Sequence, residues 1–149
     1  MKFGTKAIHA GFEGDPLTGA IMPPIYQTST YIQEAPAQHK GYEYSRTANP
    51  TRTILEKNLA ALENGKYGRA FSSGMGACDA ILKLLEAGDH VVAGHDLYGG
   101  TYRQFTKVFQ KFGISFTFVN TTDLQNIENA IQENTRMIWV ETPSNPLLS

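Results

Sequence analysis

The chain of 149 residues has a single cysteine, Cys78, no excess of either charge and no long apolar run. One thiol can form neither an internal disulfide nor a multi-thiolate zinc site. With 13 Lys and Arg against 14 Asp and Glu, the formal net charge is −1, so there is no electrostatic basis for binding nucleic acid or anionic membranes. No segment reaches membrane-spanning length, and residues 1–10 lack the apolar core of a secretory signal. We therefore expect a soluble, cytoplasmic protein.

Two common nucleotide-binding fingerprints, G-x-G-x-x-G and G-x-x-x-x-G-K-[ST], are also missing. His90, His95 and Asp96 do not share a helical ligand spacing with a third donor, so we expect surface roles for them and no metal site. What the chain does contain is 41% apolar and 18% charged residues. That balance is typical of a globular domain of modest size.

The first 48 residues differ in character from the rest. They are rich in Gly, Pro, Thr and Tyr without a sustained helical period, which predicts an extended N-terminal arm that lies on the main domain or on a second subunit. At Asn49, a good N-cap followed by Pro50 and by leucines at helical spacing, we expect a helix over residues 50–64. The predicted division is an arm over residues 1–48 and a main domain over residues 49–149.

After that helix, short apolar runs alternate with segments of helical period. The pattern predicts strands over residues 69–71, 90–93, 114–119 and 137–140, and helices over residues 76–87, 101–112 and 123–133. Thr122 and Gln125 form a capping box at the start of the last helix. This alternation requires right-handed crossovers, so the predicted fold class is α/β, a mostly parallel sheet flanked by helices. No covering helix follows the last strand, so we expect an incomplete domain from a longer protein.

Ligands of a parallel sheet gather where its strands end. The loop Ser72–Gly76 opens a helix, and its small residues and free amides suit a phosphate; a plain strand-to-helix turn is the alternative. In the loop His95–Thr101, Tyr98 precedes two glycines and suits stacking on a flat ring; an aromatic that caps the edge of the core is the alternative.

Polar groups mark two further positions. Asn145, between two prolines, offers a donor and an acceptor at a rigid point, although a structural proline turn would have the same residues. In the arm, Tyr44 and Arg46 place a phenol beside a cation. That pair suits an anionic group, with a solvated arm as the alternative.

Five segments, taken together and in order, closely resemble the trans-sulfuration family of pyridoxal-phosphate enzymes. This family comprises cystathionine gamma-synthase, cystathionine gamma-lyase, cystathionine beta-lyase and methionine gamma-lyase. The five segments are Pro24–Thr30, Tyr44–Thr51, Ser72–Met75, Leu97–Thr101 and Glu141–Pro146. The resemblance covers nearly the whole chain, and it implies the large domain of a type I pyridoxal-phosphate-dependent transferase, here incomplete.

The resemblance implies pyridoxal 5'-phosphate as the cofactor. In the family pattern, the amides of Gly74 and Met75 hold its phosphate, which agrees with the anion-binding loop inferred from the residues alone. Tyr98 is implied to stack on the pyridine ring and to take part in proton transfer, as the catalytic residue of this chain. Asn145 is implied to bond the phenolic oxygen of the ring.

The resemblance also implies a homo-oligomer. Tyr44 and Arg46 would reach the cofactor phosphate of a neighbouring subunit, so the active unit is at least a dimer, and a tetramer is usual in the family. Arg103 is similar to the arginine that binds the distal carboxylate of the substrate; by periodicity alone it is an exposed helix residue. Arg103 and Gly100 favour the cystathionine branch over methionine gamma-lyase.

The implied function is gamma-elimination or gamma-replacement on cystathionine or activated homoserine, that is, a small amino-acid substrate. The alternatives are a cystathionine beta-lyase or methionine gamma-lyase relative, or a non-catalytic module that binds a phosphorylated ligand. The lysines of this chain lie away from the predicted ligand loops, and in the family the Schiff-base lysine follows the Glu141–Pro146 segment. We therefore expect that lysine outside this chain, and the chain alone to be inactive.

Overall fold

A computed structural model describes residues 1–148 and divides the chain into two compact units, residues 1–70 and residues 71–149. The first unit contains α1 (Phe3–His9) and α2 (Pro50–Leu62). The second contains α3 (Gly74–Leu82), β1 (His90–Gly94), α4 (Gly99–Lys107), a short 3-10 helix (Phe109–Phe112), β2 (Ser115–Val119), α5 (Leu124–Ala130) and β3 (Thr135–Trp139). The predicted boundary at residue 48 falls inside the first unit and stays a prediction.

In the first unit, α2 begins where its sequence predicts. The Asn49 side chain accepts from the Thr51 amide at 2.9 Å, and Pro50 occupies the first helical position. The short helix α1 was not predicted, because a segment of seven residues is too short to show a clear helical periodicity of apolar residues. A tertiary contact ends it: the Asn58 amide donates to the backbone oxygens of Lys6 and Ala10, at 3.0 and 2.9 Å. The Lys6 carbonyl also accepts from the Ala10 amide, whereas the Ala10 carbonyl lies past the last helical residue, so the bond from Asn58 gives it a partner.

The second unit is built on a three-stranded parallel sheet in the order β2-β1-β3. All five residues of the central strand β1 are buried, whereas the residues of β3 alternate between half-buried and exposed. The parallel α/β class predicted from the sequence is confirmed by this topology. None of the helices in the described part of the chain is both long enough and apolar enough to cross a membrane.

Aromatic side chains dominate the core of this unit. Phe105 of α4 is fully buried, stacks on Phe116 of β2 at 4.5 Å between ring centroids, and meets Trp139 of β3 edge-on at 5.3 Å. One helical side chain thus packs against both outer strands of the sheet. These contacts hold α4 against the sheet, and the loop that leaves β1 leads into this helix.

Two expectations for the alternating segments after α2 are wrong. Residues 69–71 form no strand; the Ala70 amide instead donates to Glu56 Oε1 at 3.0 Å, a side-chain bond in place of a ladder bond. The cap of α5 is Asp123, whose carboxylate accepts from the Gln125 amide at 3.0 Å, while the Thr122 hydroxyl donates to Asn120. Aspartate is at least as good a cap as threonine, so the helix begins one residue later than the capping box predicted.

The buried position of His90 corrects the surface role expected for it. The side chain is 1% exposed and connects the three strands. Its Nδ1 lies 2.7 Å from Thr135 Oγ1 on β3, and its Nε2 lies 2.9 Å from Thr117 Oγ1 on β2. Burial lowers the pKa of His90 below its ordinary value, since the charged imidazolium would lose its hydration.

Candidate active site

The N-terminus of α3 has the geometry of an anion site. Ser73 caps the helix, and its hydroxyl accepts from the Gly76 amide at 3.1 Å. The amides of Gly74 and Met75, the first two helical residues, therefore remain without an intrahelical acceptor and carry the partial positive charge of a helix N-terminus. A Cβ atom added to Gly74 would meet no atom of another part of the chain within 4 Å, so no side chain packs against the loop at this residue.

Tyr98 lies beside that loop. A Cβ atom added to Gly100 would collide with the Tyr98 ring and would lie 2.9 Å from the Met75 sulfur. The ring and the sulfur therefore both pack against Gly100, and only a glycine permits this approach. Because Tyr98 as a whole residue is 55% exposed, it is not buried in the core, and a flat ligand has access to it.

The loops that follow β1 and β3 are joined at two points. Glu141 Oε2 accepts from the Tyr98 amide at 3.1 Å, and the Ser144 hydroxyl donates to Asp96 Oδ2 at 2.5 Å. Ser144 is 1% exposed. Asn145, the next residue, is exposed and thus able to bind a ligand. Sequence reasoning missed the roles of Glu141, Asp96 and Ser144, because the pattern places them after strands but does not show that those strands are neighbours.

Arg103 is exposed on α4, as its periodicity indicates. Its guanidinium turns toward the start of the helix, where Nη1 would lie 3.5 Å from a Cβ atom added to Gly99. The second unit thus brings Met75, Tyr98 and Arg103 to the N-terminal ends of two helices.

In the first unit, Tyr44 and Arg46 form a direct pair. Arg46 Nη2 donates to the Tyr44 hydroxyl at 2.7 Å, and the guanidinium carbon lies 5.1 Å from the centre of the Tyr44 ring. Arg52 holds the backbone of this turn, because its guanidinium donates to the carbonyls of Ser45 and Thr47 at 3.2 and 2.8 Å. The pair is therefore a pre-organised cationic group with remaining donors for an anion.

The described residues suit a phosphorylated aromatic ligand better than a metal ion. Among residues 1–148, no group of three or more His, Cys, Asp or Glu side chains could hold a metal. Two helix amides without an intrahelical acceptor suit a phosphate, and the exposed Tyr98 suits a planar heterocycle. These features match the demands of pyridoxal 5'-phosphate.

The family described as Cys/Met metabolism PLP-dependent enzyme matches residues 4–149. A cystathionine gamma-lyase of Bacillus subtilis is 56% identical over 148 residues, covering 99% of this chain and 39% of that protein. A probable cystathionine gamma-synthase of Herpetosiphon aurantiacus is 54% identical, covering 98% of the chain and 46% of that protein. A cystathionine beta-lyase of Coxiella burnetii is 54% identical, covering 97% and 38%.

Two solved structures share the fold. The metB protein of Corynebacterium glutamicum superposes with a TM-score of 0.97 at 50% identity, covering 100% of this chain and 39% of that protein. A cystathionine gamma-lyase of Lactobacillus plantarum, complexed with L-serine, gives a TM-score of 0.94 at 48% identity, with the same coverage. The chain spans less than half the length of each of these relatives.

Proposed function

Because the chain belongs to the Cys/Met metabolism family of PLP-dependent enzymes, we propose that it forms the phosphate-binding and ring-stacking part of a trans-sulfuration active site. The proposed reaction is gamma-elimination or gamma-replacement on cystathionine or activated homoserine, in the cytoplasm. The observation that carries this proposal is the packing of Met75 and Tyr98 against Gly100. It sets an anion-binding loop beside an exposed aromatic ring, as a phosphorylated pyridine requires.

Each residue of the site has a distinct role in this proposal. The amides of Gly74 and Met75 donate to the cofactor phosphate, and the Tyr98 ring stacks on the pyridine. Asn145 donates its amide N–H to the phenolic oxygen of the pyridine, which fixes the rotation of the ring. The cofactor, when bound, supplies an electron sink that stabilises a carbanion at the substrate α carbon.

We assign substrate binding to Arg103 on α4 and proton transfer to Tyr98, the N-cap residue of the same helix. Arg103 binds the distal carboxylate of the substrate, since a guanidinium forms two parallel bonds with a carboxylate. The Tyr98 hydroxyl would take part in proton transfer to or from the substrate, since an exposed phenol can both donate and accept a proton. We assign the Schiff-base lysine to none of the lysines in this chain.

Tyr44 and Arg46 are proposed to act on a second copy of the protein. Their pairing at 2.7 Å leaves further guanidinium donors for a phosphate, and each subunit would complete the cofactor site of its neighbour. The active unit is then a homodimer at least, and we expect a tetramer.

Three variants test the cofactor site through binding of pyridoxal 5'-phosphate, measured by equilibrium dialysis. Gly74→Pro removes one donor at a helix position where proline is tolerated, so we expect about tenfold weaker binding with α3 intact. Tyr98→Leu should weaken binding by up to about tenfold through lost stacking, whereas Tyr98→Phe should retain it.

Matched controls make these comparisons specific. Leu124→Pro places proline at the first position of α5, and Tyr67→Leu removes an exposed tyrosine of the first unit. Both should bind the cofactor as the unaltered protein does. Equal losses in the controls, or no loss in Gly74→Pro and Tyr98→Leu, would refute the proposed site.

Beta-elimination is the second candidate reaction, because the Coxiella burnetii cystathionine beta-lyase is 54% identical to this chain. The products separate the two reactions. With water, gamma-elimination of cystathionine gives cysteine, 2-oxobutanoate and ammonia, while beta-elimination gives homocysteine, pyruvate and ammonia. Chromatography of the 2-oxo acids released by the complete enzyme therefore decides between the two eliminations. Gamma-replacement releases neither acid and instead forms cystathionine from cysteine and activated homoserine, whereas a non-catalytic binding module would form none of these products.

A further inference from the structure

We propose that Glu141 is a positioning residue that holds Tyr98 over the anion-binding loop by accepting the Tyr98 backbone amide. The inference rests on the function proposed above, because it concerns the ring that would stack on the cofactor. It starts from an unusual feature of α4. The N-cap of that helix is Tyr98 itself, and no side chain of the helix caps it. A tyrosine hydroxyl stands too far from its own backbone to take that role.

Helices commonly satisfy the amide of the cap residue from within. In a capping box, the third helical residue carries a Glu or Gln that reaches back to that amide. In α4 the third residue is Thr101, which is 3% exposed. The acceptor comes instead from the loop that follows β3: Glu141, 43 residues away in the chain, accepts from the Tyr98 amide at 3.1 Å. Glu141 therefore supplies from that loop the acceptor that this helix lacks.

The position of Glu141 is itself fixed by the core. It lies two residues after Trp139, the last residue of β3, whose ring meets the buried Phe105 of α4 at 5.3 Å. A second bond, from Ser144 to Asp96, joins the same two loops. The carboxylate is thus held between two anchored points, and it brings negative charge to a helix N-terminus, where such charge is favourable.

Any shift of the Tyr98 backbone would move its ring relative to Met75, since both pack against Gly100. Among the described residues, the hydrogen bond of the Glu141 carboxylate is with the Tyr98 amide, and none joins it to the amides of Gly74 or Met75. Its effect on the cofactor would therefore come through Tyr98 alone. This predicts a selective phenotype, in which binding of the pyridine ring weakens and binding of the phosphate does not.

Three substitutions in the complete protein separate the reach of the side chain from its charge. Glu141→Gln keeps the length and an acceptor oxygen, Glu141→Asp keeps the charge on a shorter side chain, and Glu141→Ala removes both. The matched control is Glu86→Ala, an exposed glutamate that precedes β1 at the opposite end of the sheet. The aspartate variant keeps the comparison available if the alanine variant fails to fold.

Hydrogen-deuterium exchange of a peptide that covers residues 95–101, read by mass spectrometry, reports on the amide directly. We expect exchange about tenfold faster in Glu141→Ala and Glu141→Asp, and within about threefold of the unaltered protein in Glu141→Gln. The dissociation constant for pyridoxal 5'-phosphate should rise about tenfold in the same two variants, while that for inorganic phosphate stays within about twofold. Glu86→Ala should change none of these values.

Rescue by aspartate but not by glutamine would overturn the proposal, because charge rather than reach would then be decisive. Equal weakening of pyridoxal 5'-phosphate and inorganic phosphate would also overturn it, since the whole loop would have loosened. If the unaltered protein binds phosphate but not pyridoxal 5'-phosphate, the proposed function fails. The exchange pattern of the three variants would then still support or overturn the link between Glu141 and Tyr98.

Discussion

Mild acid should destabilise the parallel sheet through His90. The imidazole is 1% exposed and lies between threonine hydroxyls on β2 and β3. Burial lowers the pKa of His90 from its ordinary value of 6.5. As the pH falls through that value, the unfolded chain takes up a proton at this residue while the folded chain does not. The free energy of unfolding therefore decreases, and it stops decreasing once the pH is below the folded-state pKa.

The size of the effect has an upper limit. If His90 stays neutral in the folded protein throughout, only the unfolded state gains stability from protonation. Lowering the pH from about 7.5 to about 5.5 then raises the ratio of unfolded to folded protein about tenfold. That factor corresponds to about 1.4 kcal/mol of lost stability. The same loss is about a tenth to a quarter of the total stability of an ordinary domain, so it is measurable.

Urea unfolding at the two pH values, followed by the fluorescence of Trp139, measures this loss. His90→Gln removes the titrating group and should remove its contribution to the pH dependence. His95→Gln replaces an exposed histidine at the other end of β1 and should retain the loss, because His90 is still present. A pH dependence that is the same in His90→Gln and in the unaltered protein would refute the reasoning.

Three other perturbations test the packing and the two candidate binding regions. Gly100→Ala should lower the free energy of unfolding by less than about 1 kcal/mol, because the half-exposed Tyr98 side chain can move away from the added methyl group. The same change should weaken pyridoxal 5'-phosphate binding. Unchanged binding would contradict the packing of Tyr98 on this glycine. Arg52→Lys keeps the positive charge but removes the planar guanidinium that donates to several carbonyls. We therefore expect faster trypsin cleavage and faster amide hydrogen-deuterium exchange in residues 45–48. Unchanged rates would count against the role of Arg52 in holding this turn. Phe105→Ala should cost about 3–5 kcal/mol in urea unfolding, and a cost below about 1 kcal/mol would show that this ring is not central to the core.

Local signals in the sequence were strong enough to specify most of the elements. Asn49 and Pro50 mark the start of α2 because a cap and a fixed φ angle act within one turn of helix. The alternation of apolar runs and helical segments is enough to indicate a parallel sheet, and the strands β1, β2 and β3 lie within two residues of their predicted positions. The elements that went unpredicted or wrong were short ones, α1 and residues 69–71, where few residues carry the pattern.

The candidate site likewise combines features that the sequence indicates with a contact that only the fold creates. Small residues at Gly74 and Gly100, an aromatic at Tyr98 and the family resemblance of five segments are properties of the sequence, and they suffice to indicate the class of ligand. The pairing of Glu141 with the Tyr98 amide is a property of the fold alone. It depends on β1 and β3 being neighbours with a particular register, and 43 residues of intervening chain give no local pattern that predicts such a contact.

His90 shows the physical reason most clearly. From the sequence we expected a surface role for it, because it shares no helical ligand spacing with a third metal-binding side chain. Only the strand order β2-β1-β3 puts Thr117 and Thr135 on either side of it and makes burial of a neutral imidazole favourable. The sequence alone determined the class of fold and the kind of ligand, through short-range caps, periods and motifs. The tertiary structure decided which polar groups meet, because hydrogen bonds between strands depend on register and neighbour order.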